Sequence, residues 1–194
     1  MKWIAYFIGF FIVWLLLSAE EVVEHPAGIL VEQLPTQVSI SHGSSFFVND
    51  YRVTPVAEFK VRARVLSREN YRFDPGSDLS PLDLALGWGP MSDSAVLAQI
   101  DISQSNRFYW WHVDSFPIPR RDIEIHSANM HLIPSSDFVR DQFSYVQEGS
   151  IVEITGKLVN AQSEEGWRIK TSTTREDTGA GGCEVIWVEQ LVIM

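Results

Sequence analysis

The sequence predicts a mainly β domain with short helices, of the α+β class. Three observations lead there. Apolar and charged residues alternate over 58–66 and again over 151–159, the two-residue period of a half-buried strand. The stretches 107–113 and 183–193 are rich in aromatic and β-branched residues, which favour extended chain. The helix-start signals, Ser80-Pro81 and Ser136-Asp137, each precede only a short run before a glycine.

The chain has 194 residues, 45% of them hydrophobic, with a formal net charge of -10. Without the first twenty residues and a linker, about 140 remain, enough for one domain with its own core. The acidic balance disfavours nucleic acid as a partner, because phosphate contacts require a basic surface. Charge is unevenly spread: 20–51 holds five carboxylates and no Lys or Arg, whereas 52–72 holds six basic and two acidic residues. The one cysteine, Cys183, excludes an intramolecular disulfide and a thiolate metal cluster within one chain. No cofactor or metal is implied.

Residues 3–19 are uncharged and free of proline. About seventeen helical residues at about 1.5 Å each span about 25 Å, at the short end for a bilayer core of about 30 Å. Trp3, Tyr6 and Trp14 suit the interfacial belts. A cleaved signal peptide is the rival reading, but Leu17 or Leu16 would occupy a position that cleavage wants small. One N-terminal transmembrane helix is therefore expected, with Lys2 in the cytoplasm and the domain outside the cytoplasmic membrane, periplasmic or extracellular. Residues 20–37, acidic and carrying Pro26, Gly28 and Pro35, read as a tether, and 38–194 as the domain.

Short strands are expected at 37–41 and 46–48. The strand at 58–66 places Phe59, Val61, Ala63 and Val65 on one face and Lys60, Arg62 and Arg64 on the other. Arg68 and Arg72 extend the basic character. This face is either a solvated exterior or a groove for an anionic partner, such as phospholipid headgroups, a cell-wall polymer or an acidic protein. Asp74, Asp78 and Asp83 lack the spacing of a calcium loop and read as turn chemistry. A helical insert is expected over 80–99, with Leu82, Leu84, Ala85 and Leu86 in its first helix and Ser92 or Asp93 capping its second. Trp88, between two glycines, is either a plug for one end of the core or a ligand platform.

The strand at 107–113 carries aromatics on both faces and is expected to be covered on both sides. The segment 120–134 holds the densest mix of catalytic residue types, including Asp122, His126, Ser127 and His131. Its two histidines are five apart, not the four that puts two ligands on one helix face, and Ser127 lacks the glycine-flanked elbow of a nucleophile. Local hydrogen bonds are the expected role of these histidines. A helix from 136 to about 147 is stopped by Gly149. Strands follow at 151–159, 167–172 and 183–193, the last running through the sheet interior with Glu189 and Gln190 interrupting it. Asp177-Thr178-Gly179-Ala180 matches the aspartic-protease signature in letters. It lacks the apolar strand before it and a second supporting element, so a protease is rejected.

The sequence from 138 to 192, with Glu148-Gly149-Ser150-Ile151-Val152-Glu153-Ile154-Thr155-Gly156-Lys157-Leu158 after a helix, resembles the end of an OB-fold barrel. That resemblance implies an OB-like small β-barrel with the basic strand from Glu58 as an early barrel strand. The chain departs from the pattern in its three strands after the helix and its long insert. Leu86-Gly87-Trp88-Gly89-Pro90-Met91-Ser92-Asp93 and His126-Ser127-Ala128-Asn129-Met130-His131 resemble segments of uncharacterised bacterial membrane-anchored proteins, which implies no activity.

Three functions are expected to compete. The first is a non-enzymatic binding or assembly module, holding an envelope protein or an anionic envelope component through Lys60, Arg62, Arg64, Arg68, Arg72 and Trp88. The second is a hydrolase using His126, His131 and Asp122, which requires those side chains to converge in one pocket. The third is a structural subunit of a membrane complex.

Overall fold

The computed structural model describes residues 22–174 and 182–194. The apolar segment 3–19 and the Asp177-Thr178-Gly179-Ala180 motif lie outside the described residues. Within them, no helix is long and apolar enough to cross a membrane. The domain is mainly β, with 46% strand against 13% helix, and so of the α+β class.

β1 (Thr36–Ser39), β2 (Phe46–Val48) and β3 (Tyr51–Asn70) come first, then β4 (Leu82–Gly87). A 3-10 turn over Gly89–Ser92 leads to α1 (Ser94–Leu97), and β5 (Asp101–Ser105) and β6 (Phe108–His112) form a separate hairpin. α2 (Arg120–Ile125), β7 (Ser127–Pro134), α3 (Asp137–Phe143), β8 (Ile151–Ser163), β9 (Arg168–Ile169) and β10 (Glu184–Ile193) complete the order. Among the described residues, five strands pair in a ring. β3 meets β4, β4 meets β7, β7 meets β10, β10 meets β8, and β8 returns to β3. Only the β7–β10 pairing of this ring is parallel.

β3 can serve two neighbours because it is long and irregular. Its first part runs against β8, with a register shift between Pro55 and Ala57, and its last part runs against β4, with another between Val65 and Ser67. Extra residues at such points bend a strand and increase its twist. Phe59, Val61, Ala63 and Val65 all point into the core, as the alternation requires, and meet Leu84, Leu132, Ile154 and Ile186 there. Val139, Phe143 and Val146 join the same core from α3 and the turn after it. Ser136 caps α3, its side chain accepting a hydrogen bond from the Val139 N–H at 3.3 Å. Phe138, on the other side of the same helix, is 72% exposed.

The expected helical insert at 80–99 is corrected. Residues 82–87 form β4, a fully buried strand paired on both sides. Leu82, Leu84 and Leu86 face the core, while Asp83 and Ala85 face outward under other elements. Only the four-residue α1, capped by Asp93 accepting from Ala95 N at 2.8 Å, is helical in the second half.

The expected tether is also corrected. Val23 N–H donates to the Glu148 carbonyl at 2.8 Å, and the His25 ring bonds the Gly149 carbonyl at 2.9 Å. Gly28 N–H donates to Asp93, and the Leu30 and Val31 N–H groups donate to the Ser92 hydroxyl at 3.1 and 3.0 Å. Val31 is buried in the main core. Residues 22–31 are a strap fixed to the domain, and nothing in them stands it off. Gly149, at φ +85°, lies directly beneath the backbone of Val23, so a side chain there would displace the strap.

The β5–β6 hairpin turns at Asn106 and Arg107, whose φ values of 52° and 68° fit a two-residue turn of the type that matches strand twist. Tyr109 and Trp111 pack inward against a second apolar cluster containing Met91 and Ile123. Phe108 and Trp110 remain 38% and 57% exposed, so β6 is covered on one face only.

Candidate functional site

The outer faces of β4, β7 and β10 lie side by side. Asp83 is the cross-strand partner of His131, and Val185 lies beside His131 on the other side. One step along the same face, Cys183 lies near Asn129, whose Nδ2 is 3.9 Å from Sγ. Strand alternation puts all of these on the face opposite the core leucines.

The hairpin tip closes over one end of this row. Arg107 donates through Nε to Asp74 at 2.7 Å, and through Nη1 to Asp83 Oδ1 and the Ser80 carbonyl, both at 2.9 Å. Its guanidinium stacks 3.7 Å above the centre of the Tyr71 ring, and the Arg107 backbone N–H donates to the Tyr71 hydroxyl at 2.9 Å. The other oxygen of Asp83 lies 2.8 Å from His131 Nδ1, an ion-pair contact off the N–H axis. Asp83 has no exposed surface and His131 only 3%. Burial by itself pushes the imidazole toward its neutral form. Contacts with Asp83 and Cys183 outweigh that and lift it to about 9. Gln104 fixes Asn129, donating to its Oδ1 at 2.6 Å, while Asn129 Nδ2 donates to the Arg107 carbonyl at 3.1 Å.

A cleft of about 770 Å³ opens between this face and β6. Phe108, Trp110, Trp111 and Phe116 line its apolar side, Arg120 and Glu124 stand on α2, and Asn129 and Cys183 lie on the sheet side. Arg120 pairs with Glu124 at 2.8 Å and lies over the Trp111 ring. Cys183 is partly exposed. Tyr109, whose hydroxyl donates to Ser127 at 3.2 Å, is pushed up to about 12 by burial. It is therefore a neutral wall group at physiological pH.

The basic residues predicted as a binding surface do not gather into one. Lys60 is paired with Glu153 at 2.7 Å, and Arg62 is half-buried. Arg64 is buried, its guanidinium donating to the Ser92 carbonyl and, at 2.7 Å, to the Ser94 hydroxyl. Arg68 reaches Asn70 on its own strand, and Arg72 is exposed beyond the strand end. Trp88 is 1% exposed and belongs to the main core, so its ring is a plug and not a platform.

The predicted catalytic set does not converge either. His126 bonds the backbone carbonyl of Asp122 at 2.8 Å at the end of α2 and packs beside Gly89. His131 is five residues further along extended chain, about 16 Å away, and its partner is Asp83, not Asp122. Asp83 and Cys183 were missed because neither is near His131 in sequence. The available signal was Asp83 itself, a lone charge between Leu82 and Leu84 in an alternating apolar run. No protein-family model matches the chain, and no curated protein or solved structure matches it.

Proposed function

We propose that this chain is a membrane-held binding module built on an OB-like barrel, and that its ligand is a small molecule with a flat aromatic or apolar body. The observation that carries the reading is the cleft between β6 and β7, whose volume of about 770 Å³ falls within the usual range for small-molecule sites and whose β6 wall is aromatic. The strand circuit β3-β4-β7-β10-β8, with β7 parallel to β10 and α3 between β7 and β8, supports the OB-like assignment. In such barrels the second and third strands present the binding face. Here those are β4 and β7, and the β5–β6 hairpin inserted between them forms the far wall.

The strap supports a position close to the membrane. A bilayer anchor ending at Ala19 would leave only Glu20, Glu21 and Val22 before a chain that is already docked at Val23. The domain would then rest against the headgroups on the non-cytoplasmic side.

The test is calorimetric titration of the full chain with 2-naphthoate, an aromatic carboxylate sized for the cleft and able to reach Arg120. Saturable binding is expected, weakened about tenfold or more in Trp110→Ala, since one aromatic contact contributes about 0.5–1.5 kcal/mol beyond its burial. Trp110 is exposed, so this change leaves the fold intact. Equal affinity in the two proteins would refute the cleft as the site.

A further inference from the structure

We infer that the cleft is also a reaction site, in which Cys183 attacks the carbonyl carbon of an ester or thioester of an aromatic or other apolar acid, with His131 and Asp83 behind it. This rests on the reading of the cleft as a ligand site. The three side chains come from three strands that the ring places side by side, β10, β7 and β4. From the cleft inward they run thiol, imidazole, carboxylate. Cys183 is partly exposed and lines the cleft, His131 is buried beside Val185 two residues along the same face, and Asp83 lies 2.8 Å from His131 with no exposure. A cysteine sulfur attacks as its thiolate, and an adjacent imidazole oriented by a third group is the arrangement that takes and returns its proton.

The surroundings suit that chemistry. Asn129 is held by Gln104 and the Arg107 carbonyl, with its amide nitrogen 3.9 Å from the sulfur. Its other N–H donates to that sulfur, beside the place where the oxygen gains charge when a carbonyl there is attacked, and would turn to it as the C–S bond forms. Arg107 holds the other oxygen of Asp83, so the carboxylate cannot rotate away from His131. The aromatic wall of Trp110 and Trp111 selects an apolar acyl group.

The steps balance without an oxidant or reductant. The thiolate adds to the carbonyl carbon, forming a C–S bond and moving the carbonyl electron pair onto oxygen. That pair returns as the bond to the leaving oxygen or sulfur breaks, and the leaving group takes a proton from the His131 imidazolium. Neutral His131 then removes a proton from water. The water oxygen attacks the thioester, the C–S bond breaks, and the acid is released with the thiolate and imidazolium restored. His131 and Cys183 are the catalytic residues, and Asp83 and Asn129 the positioning and stabilising groups.

The experiment uses the full chain and 4-nitrophenyl 2-naphthoate, with 2-naphthoate binding measured in parallel. A burst of nitrophenolate is expected, together with one naphthoyl group located on Cys183 by mass spectrometry of proteolytic fragments. Cys183→Ala should lose the adduct and lose turnover by about 100-fold or more. His131→Gln should slow acylation by about 100-fold. If that buried change prevents folding, the wild-type adduct and Cys183→Ala still decide. Binding without any adduct on Cys183, or turnover that survives Cys183→Ala, overturns the catalytic inference alone. Failure of the wild-type chain to bind 2-naphthoate overturns the inference and the cleft reading together.

Discussion

Asp83 has no exposed surface, and a carboxylate there is tolerable only because charge meets it on both sides, from Arg107 and from His131. Removing either partner leaves that carboxylate buried and undercompensated. Arg107→Met is expected to lower stability by about 3–5 kcal/mol, measured by urea unfolding, and to free the hairpin tip. A loss below about 1 kcal/mol would mean that water reaches Asp83 and that the clamp is weak. His131 adds a pH signature. Its folded value of about 9 lies above the ordinary 6.5, so the imidazolium is favoured by folding. That stabilisation is complete below about pH 6.5 and is lost as pH rises through about 9. Unfolding free energies from about pH 6 to about pH 10 should decline in the wild type, and the decline should be shallower in His131→Gln. A parallel pair of curves would show that the contact with Asp83 does not hold the proton.

Among the elements, the strap and β4 carry most of the departure from the sequence reading. Ser92 anchors the strap, accepting from Leu30 and Val31 and donating to the Gly89 carbonyl at 2.7 Å. Ser92→Ala should cost about 1–3 kcal/mol, because buried N–H groups lose their acceptor. Amide exchange at residues 30 and 31 should accelerate more than exchange in β8. Unchanged exchange there would mean the strap is held by Val31 burial alone.

The strap was not legible because its partners, Ser92, Asp93 and Glu148, are distant in sequence. Its acidic, proline-bearing composition describes chain that makes no regular structure, not chain that is detached. β4 was misread for a different reason. Ser80-Pro81 has the form of a helix start, and it outweighed the period-two order of Leu82, Leu84 and Leu86. By contrast, β3, α3, β8 and β10 were legible, since a one-sided apolar face or a serine cap is written locally. The candidate site was only partly legible. His131 and the aromatics of β6 stood out, but Asp83 and Cys183 join them through pairings that span about fifty residues each way, which no local pattern encodes.

At the scale of the molecule, the strand ring supplies a rigid face and the inserted hairpin supplies a wall over it, leaving the cleft between them. The second apolar cluster, with Tyr109 and Trp111, fixes the hairpin to the ring from below. Trp110, exposed on the other side of β6, is free to meet a ligand without being needed for the fold. The central claim is that this cleft holds an aromatic ligand, and the indole N–H signals of the tryptophans report on it directly. In an NMR titration of the full chain with 2-naphthoate, the indole resonances of Trp110 and Trp111 should shift and saturate together, while that of the buried Trp88 stays in place. Shifts at Trp167 or Trp187 with none at Trp110 and Trp111, or no shifts at all, would contradict the account.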